Sequence, residues 1–148
     1  MAVNERRWGS ERGAELIEFA IVLPILMLLV AGIFDFGMMF RTFEAVTNAA
    51  REGARVAVLP GYEQNVDVQS RVNAYLNASG LNNANLVTSP NITVVTSAGT
   101  FTARQVTVTY AYPFVVLGGV APLFGGSFGT INLTARSVMR TESQAAAP

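Results

Sequence analysis

The acidic side chains best placed for chemistry in this chain lie in or beside one hydrophobic segment. Glu18 stands at its start, and Asp35 is the one charged residue between Phe19 and Phe40. A carboxylate in or beside hydrocarbon is costly unless it is paired. Glu18 is either a helix N-terminal carboxylate favoured by the helix dipole or one half of a specific pair. Asp35, roughly 25 Å further along a helix, either snorkels to the outer interface or contacts another helix.

The remaining chain offers little for catalysis. It has no histidine and no cysteine, and every base is arginine. The commonest general base and zinc ligand are therefore missing, and so is any thiolate nucleophile or disulfide. After the long helix the acids are Glu63, Asp67 and Glu142, which makes an enzyme the third choice. We expect no metal, no cofactor and no small-molecule substrate. No basic cluster exceeds an arginine pair, so we also expect no nucleic-acid partner.

The hydrophobic segment is long enough to cross a bilayer. As a helix, residues 19–40 would rise roughly 33 Å, which matches the hydrocarbon core. Because the segment lies near the N-terminus with a larger polar part behind it, it also acts as an export signal. Arginines flank it on both sides, so charge alone does not set its topology.

A cleaved signal peptide is the alternative to a retained anchor. Its basic region would be the arginines of the first twelve residues, either as a Sec or as a twin-arginine signal, and its cleavage site the small residues at 30–32. Glu15 and Glu18 lie where such a signal should be basic, and the helical pattern continues past Asp35. These two details favour an anchor that is retained.

The pattern predicts one long helix over about 11–59, ended by Pro60 and Gly61. Its first half is apolar on all sides, while its second half is amphipathic with apolar residues at helical spacing. Within that half, small residues recur every fourth position at Ala49, Gly53 and Ala57. Such a stripe allows close backbone approach, either by the protein's own sheet, which we favour, or by another subunit.

The rest of the chain predicts a small α+β head over 60–140. A short helix spans 65–80, and period-two segments around 92–94, 106–112 and 131–135 predict a three-stranded antiparallel sheet. A hairpin turn is expected at Ser97-Ala98-Gly99-Thr100. The tail over 141–148 is expected to be disordered.

Residues 113–129 carry no charge and join the last two predicted strands. Prolines and paired glycines disfavour a second membrane-spanning helix there. We expect an irregular apolar loop on a bilayer surface or against another protein. Phe114, Phe124 and Phe128 are the candidate interface residues of this loop. Asp35 and the small-residue stripe are further candidates, on the long helix.

Two blocks of the sequence resemble known families. G-A-E-L-I-E-F, which begins at Gly13, resembles the processing motif of type IVb prepilins and pseudopilins. The longer R-G-A-E-L-I-E-F-A-I-V-L-P block, followed by T-N-A-A-R-E-G-A-R over Thr47 to Arg55, resembles the TadE-like family of Tad (Flp) pilus systems. The resemblance implies a pilin-like fold, a leader over 1–13, cleavage after Gly13, and a new N-terminus at Ala14. It also implies that the amine of Ala14 pairs with Glu18.

The function implied by this resemblance is structural: a pseudopilin, minor pilin or assembly factor of a Tad pilus and secretion apparatus. Its partners would be the lipid bilayer, a prepilin peptidase, and other pilin-type subunits or the Tad inner-membrane platform. It would cross the bacterial inner membrane once, with its head in the periplasm or outside the cell. The rival interpretation is a membrane-tethered binding or adhesion domain whose N-terminus is unprocessed or cut by signal peptidase. The mature N-terminus distinguishes the two.

Overall fold

The computed structural model describes residues 7–61, 65–82, 84–97 and 99–141, with side chains from residue 13 onward except those of Leu86 and Phe124. Residues 1–6 of the predicted leader and residues 142–148 of the predicted tail therefore lie outside the described residues. The elements in order are α1 (Arg7–Ala57), α2 (Asn65–Ala78), β1 (Leu86–Thr88), β2 (Asn91–Thr96), β3 (Gly99–Pro113), α3 (Val116–Val120), a 3-10 turn (Ala121–Phe124) and β4 (Thr130–Arg140). The predicted α+β class is confirmed, with a long apolar N-terminal helix followed by a small head.

The long helix is continuous through Pro24 and ends shortly before Pro60, close to the predicted limits of 11–59. Proline removes one backbone donor, which leaves the carbonyl of Ala20 without its usual helical partner.

Two compact units share this helix. The anchor unit comprises Met1–Gly37 and Phe114–Gly129, and the head unit comprises Met38–Pro113 and Thr130–Pro148. The uncharged segment thus clusters with the first half of α1, whereas the sequence prediction counted it with the head.

The head's sheet is antiparallel and has four strands around the central β3, not the three that were predicted. The additional strand is β1. Strands β1 and β2 pair with β3 in the same register. Leu86 of β1 pairs with Thr109, and Asn91 of β2, five residues later in the chain, pairs with Arg104, five residues earlier on β3. Pro90 interrupts the two because proline cannot donate to the ladder. The sequence prediction missed β1 because three residues before a proline show no period-two pattern.

The other local predictions for the head hold. Thr96 pairs with Gly99, so β2 and β3 form the predicted hairpin around Ser97, whose neighbour Ala98 lies outside the described residues. Helix α2 ends in a Schellman motif: the Leu81 amide donates to Leu76 and the Gly80 amide to Asn77. Gly80 has a φ of +76°, which glycine adopts without steric cost.

The head's core lies between the sheet and two helical faces. Every second residue of β3 from Val106 to Tyr112 is buried, as the period-two pattern predicts. Helix α2 contributes a stripe at positions 68, 72 and 76. The second half of α1 contributes small and β-branched residues. The buried hydrophobic residues of these two helical faces are Val46, Ala49, Ala50, Ala54, Ala57, Val68, Val72 and Leu76.

The small-residue stripe of α1 lies inside this core. Ala49 and Ala57 are almost fully buried, and Gly53 is buried beside α2 and β3. A Cβ added at Gly53 would lie 2.7 Å from Cγ2 of Val72 and 3.2 Å from Cγ1 of Val106. The stripe therefore serves packing within the protein's own head, which was the favoured interpretation of its spacing.

Arg104 of β3 was not predicted from the sequence to have a role, yet its side chain caps the C-terminal end of α1. Its side chain is buried, its Nε donates to the Ala57 carbonyl at 3.2 Å, and its Nη1 donates to Oδ1 of Asn91 at 3.0 Å. The last carbonyls of a helix lack partners within the helix, and a cation there also complements the helix dipole. Arg104 thus ties the sheet to the C-terminal end of α1.

Replacing Arg104 with methionine should lower the free energy of unfolding of the head by about 2 kcal/mol, since hydrogen bonds to a charged group contribute about 1.5–3 kcal/mol. Urea unfolding of the full chain in detergent, followed by tyrosine fluorescence, measures this loss. Arg140→Met is the matched control. The Arg140 guanidinium is exposed and lies 5.0 Å from the centre of the Phe101 ring, a contact that contributes about 0.5–1 kcal/mol at exposed sites. Equal losses in the two variants would contradict the role given to Arg104.

Candidate functional site

The first half of α1 presents apolar side chains in all directions. Leu16, Phe19, Ile25 and Phe34 are each at least 60% exposed, and few side chains between them are covered by protein. In the described part of the chain, the stretch Gly13–Ala57 is the one helix long and apolar enough to cross a membrane. An apolar surface this long is typical of a segment whose natural surroundings are lipid or other apolar helices.

The predicted processing and assembly residues lie at the start of this surface. Gly13 is partly exposed, and no atom lies within 4 Å of the position a Cβ would take there. Ala14 and Glu18 are both exposed, and their spacing of four places them on one helix face. The bond after Gly13 is thus unobstructed by the described side chains. The pairing of Glu18 with a newly formed amine at Ala14 stays a prediction.

Asp35 is fully buried, and its carboxylate holds the start of α3. Oδ1 accepts hydrogen bonds from the backbone amides of Val115 and Val116, each at 3.1 Å, and Oδ2 accepts one from Leu117 at 2.6 Å. Of the two expectations for Asp35, this arrangement agrees with the second, a contact with another helix. The side chain does not snorkel to an interface, and its contact is with a helical turn of the same chain.

The bonding between Asp35 and this turn is reciprocal. The first amides of a helix have no partner within it, and the partial positive charge at that end attracts an anion. A buried carboxylate needs donors for both of its oxygens, and the three amides provide them. Asp35 and the start of α3 thus each satisfy a polar group that would be costly to bury alone.

The uncharged segment is more regular than predicted. Helix α3 continues into the 3-10 turn, which Gly125 ends with a φ of +73°, and the Gly126 amide donates back to Ala121 at 3.0 Å. Leu117 and Ala121 are buried. The segment is therefore a folded turn of helix with an inward face, rather than the irregular loop that the paired glycines suggested.

Phe114 and Phe128, two of the predicted interface residues in this segment, remain partly exposed. The rings of Phe114 and Phe128 lie 5.8 Å apart at 60°, and Phe128 remains 48% exposed. Val115 and Leu123 are 62% and 79% exposed. The side chain of Phe124 lies outside the described residues. An apolar cavity of about 320 Å³ in the same unit is lined by five α1 residues between Leu26 and Phe34 and by Val116 and Val120 of α3.

The structure brings together some predicted site residues and separates others. Asp35 and the segment after Phe114 belong to one unit, although they are 80 or more positions apart in sequence. The small-residue stripe belongs to the core of the other unit. Sequence reasoning missed the link between Asp35 and α3. The signal for it was the pairing of one acid inside an apolar helix with a long uncharged segment elsewhere in the chain.

A metal site would be recognised by a group of Asp, Glu, His or Cys side chains within the described residues. Among them, no group of three or more Asp, Glu, His or Cys side chains could hold a metal ion. A cavity of about 440 Å³ in the head unit is lined by threonines, Arg104 and Arg140, without an acidic side chain. This environment suits neither general acid–base catalysis by carboxylates nor a divalent cation.

Comparison with known proteins agrees with the sequence motifs. Residues 13–55 match the model of the family described as TadE-like protein, which confirms the resemblance over the segment from Gly13 to Arg55. TadE-like proteins are associated with Tad pilus systems, and the family is structural rather than enzymatic. Searches of curated proteins and of solved structures each found no match.

Proposed function

From the match of residues 13–55 to TadE-like proteins, we propose that this chain is a structural pseudopilin or minor pilin, or an assembly factor, of a Tad pilus and secretion apparatus. The observation that carries the proposal is the composition of α1 along its length. Its first half exposes an apolar surface, and its second half buries one face in the head's core. One helix thereby joins a membrane anchor to a folded head, which is the arrangement a pilin-type subunit requires.

The same apolar surface can serve in two environments. In the bilayer it faces acyl chains, and in an assembly it faces the apolar helices of other subunits. Lipid tails are as apolar as leucine, so moving between these environments gains little from the hydrophobic effect. Helix association in lipid depends instead on close packing and on polar pairs. Glu18, exposed within this surface, is therefore the residue expected to decide which helices associate.

Processing after Gly13 would create the partner of Glu18. Cleavage exposes an amine at Ala14, and a positive charge at a helix N-terminus opposes the helix dipole. The Glu18 carboxylate, one turn later, neutralises that charge in its own chain or in a neighbour's. The bond lies inside α1, so the peptidase must unwind the first turns. A glycine there lowers that cost by about 1 kcal/mol relative to alanine.

The proposed partners follow from these steps. They are the inner-membrane bilayer, a prepilin peptidase, and either pilin-type subunits or the Tad inner-membrane platform. The proposed topology is a single pass with the head in the periplasm or outside the cell. Entry into the filament, capping of it and priming of its assembly are all compatible with this role.

Mass spectrometry of the membrane-extracted protein tests the proposal. In cells with an active prepilin peptidase, the mature N-terminus should be Ala14, because the bond after Gly13 is exposed at the start of the apolar helix. Cells lacking the peptidase should yield the uncut chain. An N-terminus after Gly32, or an intact Met1 despite active peptidase, would instead support a tethered binding or adhesion domain.

A further inference from the structure

We propose that Phe114–Gly129 is a re-entrant membrane element, inserted among lipid acyl chains beside α1 and held there by Asp35. The range is the part of the uncharged segment that clusters with the first half of α1. The proposal goes beyond the pilus role. It rests on the membrane insertion of α1 and does not depend on processing or assembly.

The depth of the segment follows from its neighbours on α1. Val116 and Val120 line the same cavity as α1 residues between Leu26 and Phe34. Along a helix these residues lie roughly 12–24 Å beyond Glu18. If Glu18 marks one edge of the hydrocarbon, which is about 30 Å thick, the cavity lies within it. An element that contacts these α1 residues shares their depth.

The chemistry of the segment suits acyl chains as the occupant of this surface. No charged residue occurs from 113 to 129, and the cavity is lined by apolar side chains alone. Val115, Leu123 and Phe128 are exposed, and they belong to the same unit as the exposed apolar side chains of α1. This surface is as apolar as the one that α1 would present to lipid.

Backbone polarity is the main obstacle to such insertion, and the helical part of this segment, over Val116–Phe124, reduces it. Amides and carbonyls in hydrocarbon must be bonded within the protein. Helix α3, the 3-10 turn and the bond from the Gly126 amide to Ala121 satisfy many of them. The first amides of α3 would remain, and Asp35 accepts hydrogen bonds from them at Val115, Val116 and Leu117.

Asp35 gains from the same arrangement. A carboxylate roughly 25 Å along the span from Glu18 lies inside the hydrocarbon, where charged residues persist only when they are paired or serve a function. The inserted turn supplies the donors that lipid lacks. Asp35, the single acid within the span, and the amides of the uncharged segment thus satisfy each other's hydrogen bonds.

The absence of cysteine from the chain allows a direct measurement of depth. Leu123→Cys, Leu29→Cys and Val95→Cys would each be labelled with an NBD fluorophore. The full chain would then be reconstituted in phosphatidylethanolamine–phosphatidylglycerol liposomes. Leu29 is exposed on α1, and Val95 is exposed on β2 of the head, so they serve as lipid and aqueous references. Quenching by nitroxides on the acyl chains is compared with quenching by iodide in the water.

The label at position 123 should be quenched by acyl-chain nitroxides as strongly as the label at 29, and by iodide several-fold less than the label at 95. Quenching by iodide equal to that at 95 would overturn the proposal. Shielding of position 123 from both quenchers would place a second copy over the segment and would overturn it as well.

The role of Asp35 is tested in the same liposomes. Asp35→Ala removes all the acceptors for the amides of α3, so the label at 123 should become accessible to iodide. Asp35→Asn keeps one carbonyl oxygen and should give an intermediate effect. Glu18→Ala removes the acid at the start of the apolar span and should leave position 123 unchanged. No change in Asp35→Ala would overturn the holding role. An unprocessed N-terminus would count against the pilus function alone and would leave these measurements unaffected.

Discussion

Replacing Gly53 with leucine should prevent the head from folding stably. The site of an added Cβ already lies 2.7 Å from Val72 and 3.2 Å from Val106, and leucine extends three carbons further into that space. Both neighbours are β-branched residues whose rotamers are restricted. Overpacking a core costs about 1–3 kcal/mol and sometimes more. With this much added volume we expect a loss of about 3 kcal/mol or more, a large part of a small domain's stability.

Urea unfolding of the full chain in detergent measures this effect. The tyrosines at 75, 110 and 112 belong to the head unit, so their fluorescence reports on its unfolding. Gly37→Leu is the matched control, because nothing lies within 4 Å of a Cβ at Gly37 in the same helix. That control should be neutral or slightly stabilising, since leucine favours helix over glycine. If Gly53→Leu unfolded at the same urea concentration as the control, the stripe would not be a packing contact within the head.

Glu18→Ala should abolish pilus assembly while membrane insertion is retained. Removing a charge makes the span more apolar, so insertion should not suffer. Assembly should fail because the amine of Ala14 would lose its partner in the apolar surroundings of other helices. Alkali extraction of membranes measures insertion, and immunoblots of sheared surface material measure pili. Co-purification with pilin-type partners should fall in parallel.

Glu15→Ala is the matched control for this experiment. Glu15 is also an exposed acid of the first turns after Gly13, but it directly follows Ala14 and does not lie one turn along the helix from it. Its removal should leave assembly nearly normal. Normal pili in the Glu18→Ala strain would reduce Glu18 to a carboxylate favoured by the helix dipole. Equal losses in both variants would point to a general effect of charge at this end of the helix.

The features that the sequence by itself determined are those set by local pattern. A hydrophobic stretch over residues 19–40, in which Asp35 is the one charged residue, predicts a helix long enough to span a membrane. The period of α2, the glycine at position 80 and the hairpin at Ser97 depend on neighbours within a few residues. The TadE-like motifs over 13–55 are likewise contiguous, so they were recognisable before the fold was known.

Tertiary structure alone decided the features that join distant segments. Asp35 and Val115 are 80 positions apart, and no local sequence pattern around either residue predicts their contact. Arg104 reaches Ala57 across 47 positions, and β1 is a strand only because β3 offers it a partner in register with β2. In each case a backbone polar group needs a partner that its own element cannot supply, and only the fold determines which distant residue supplies it.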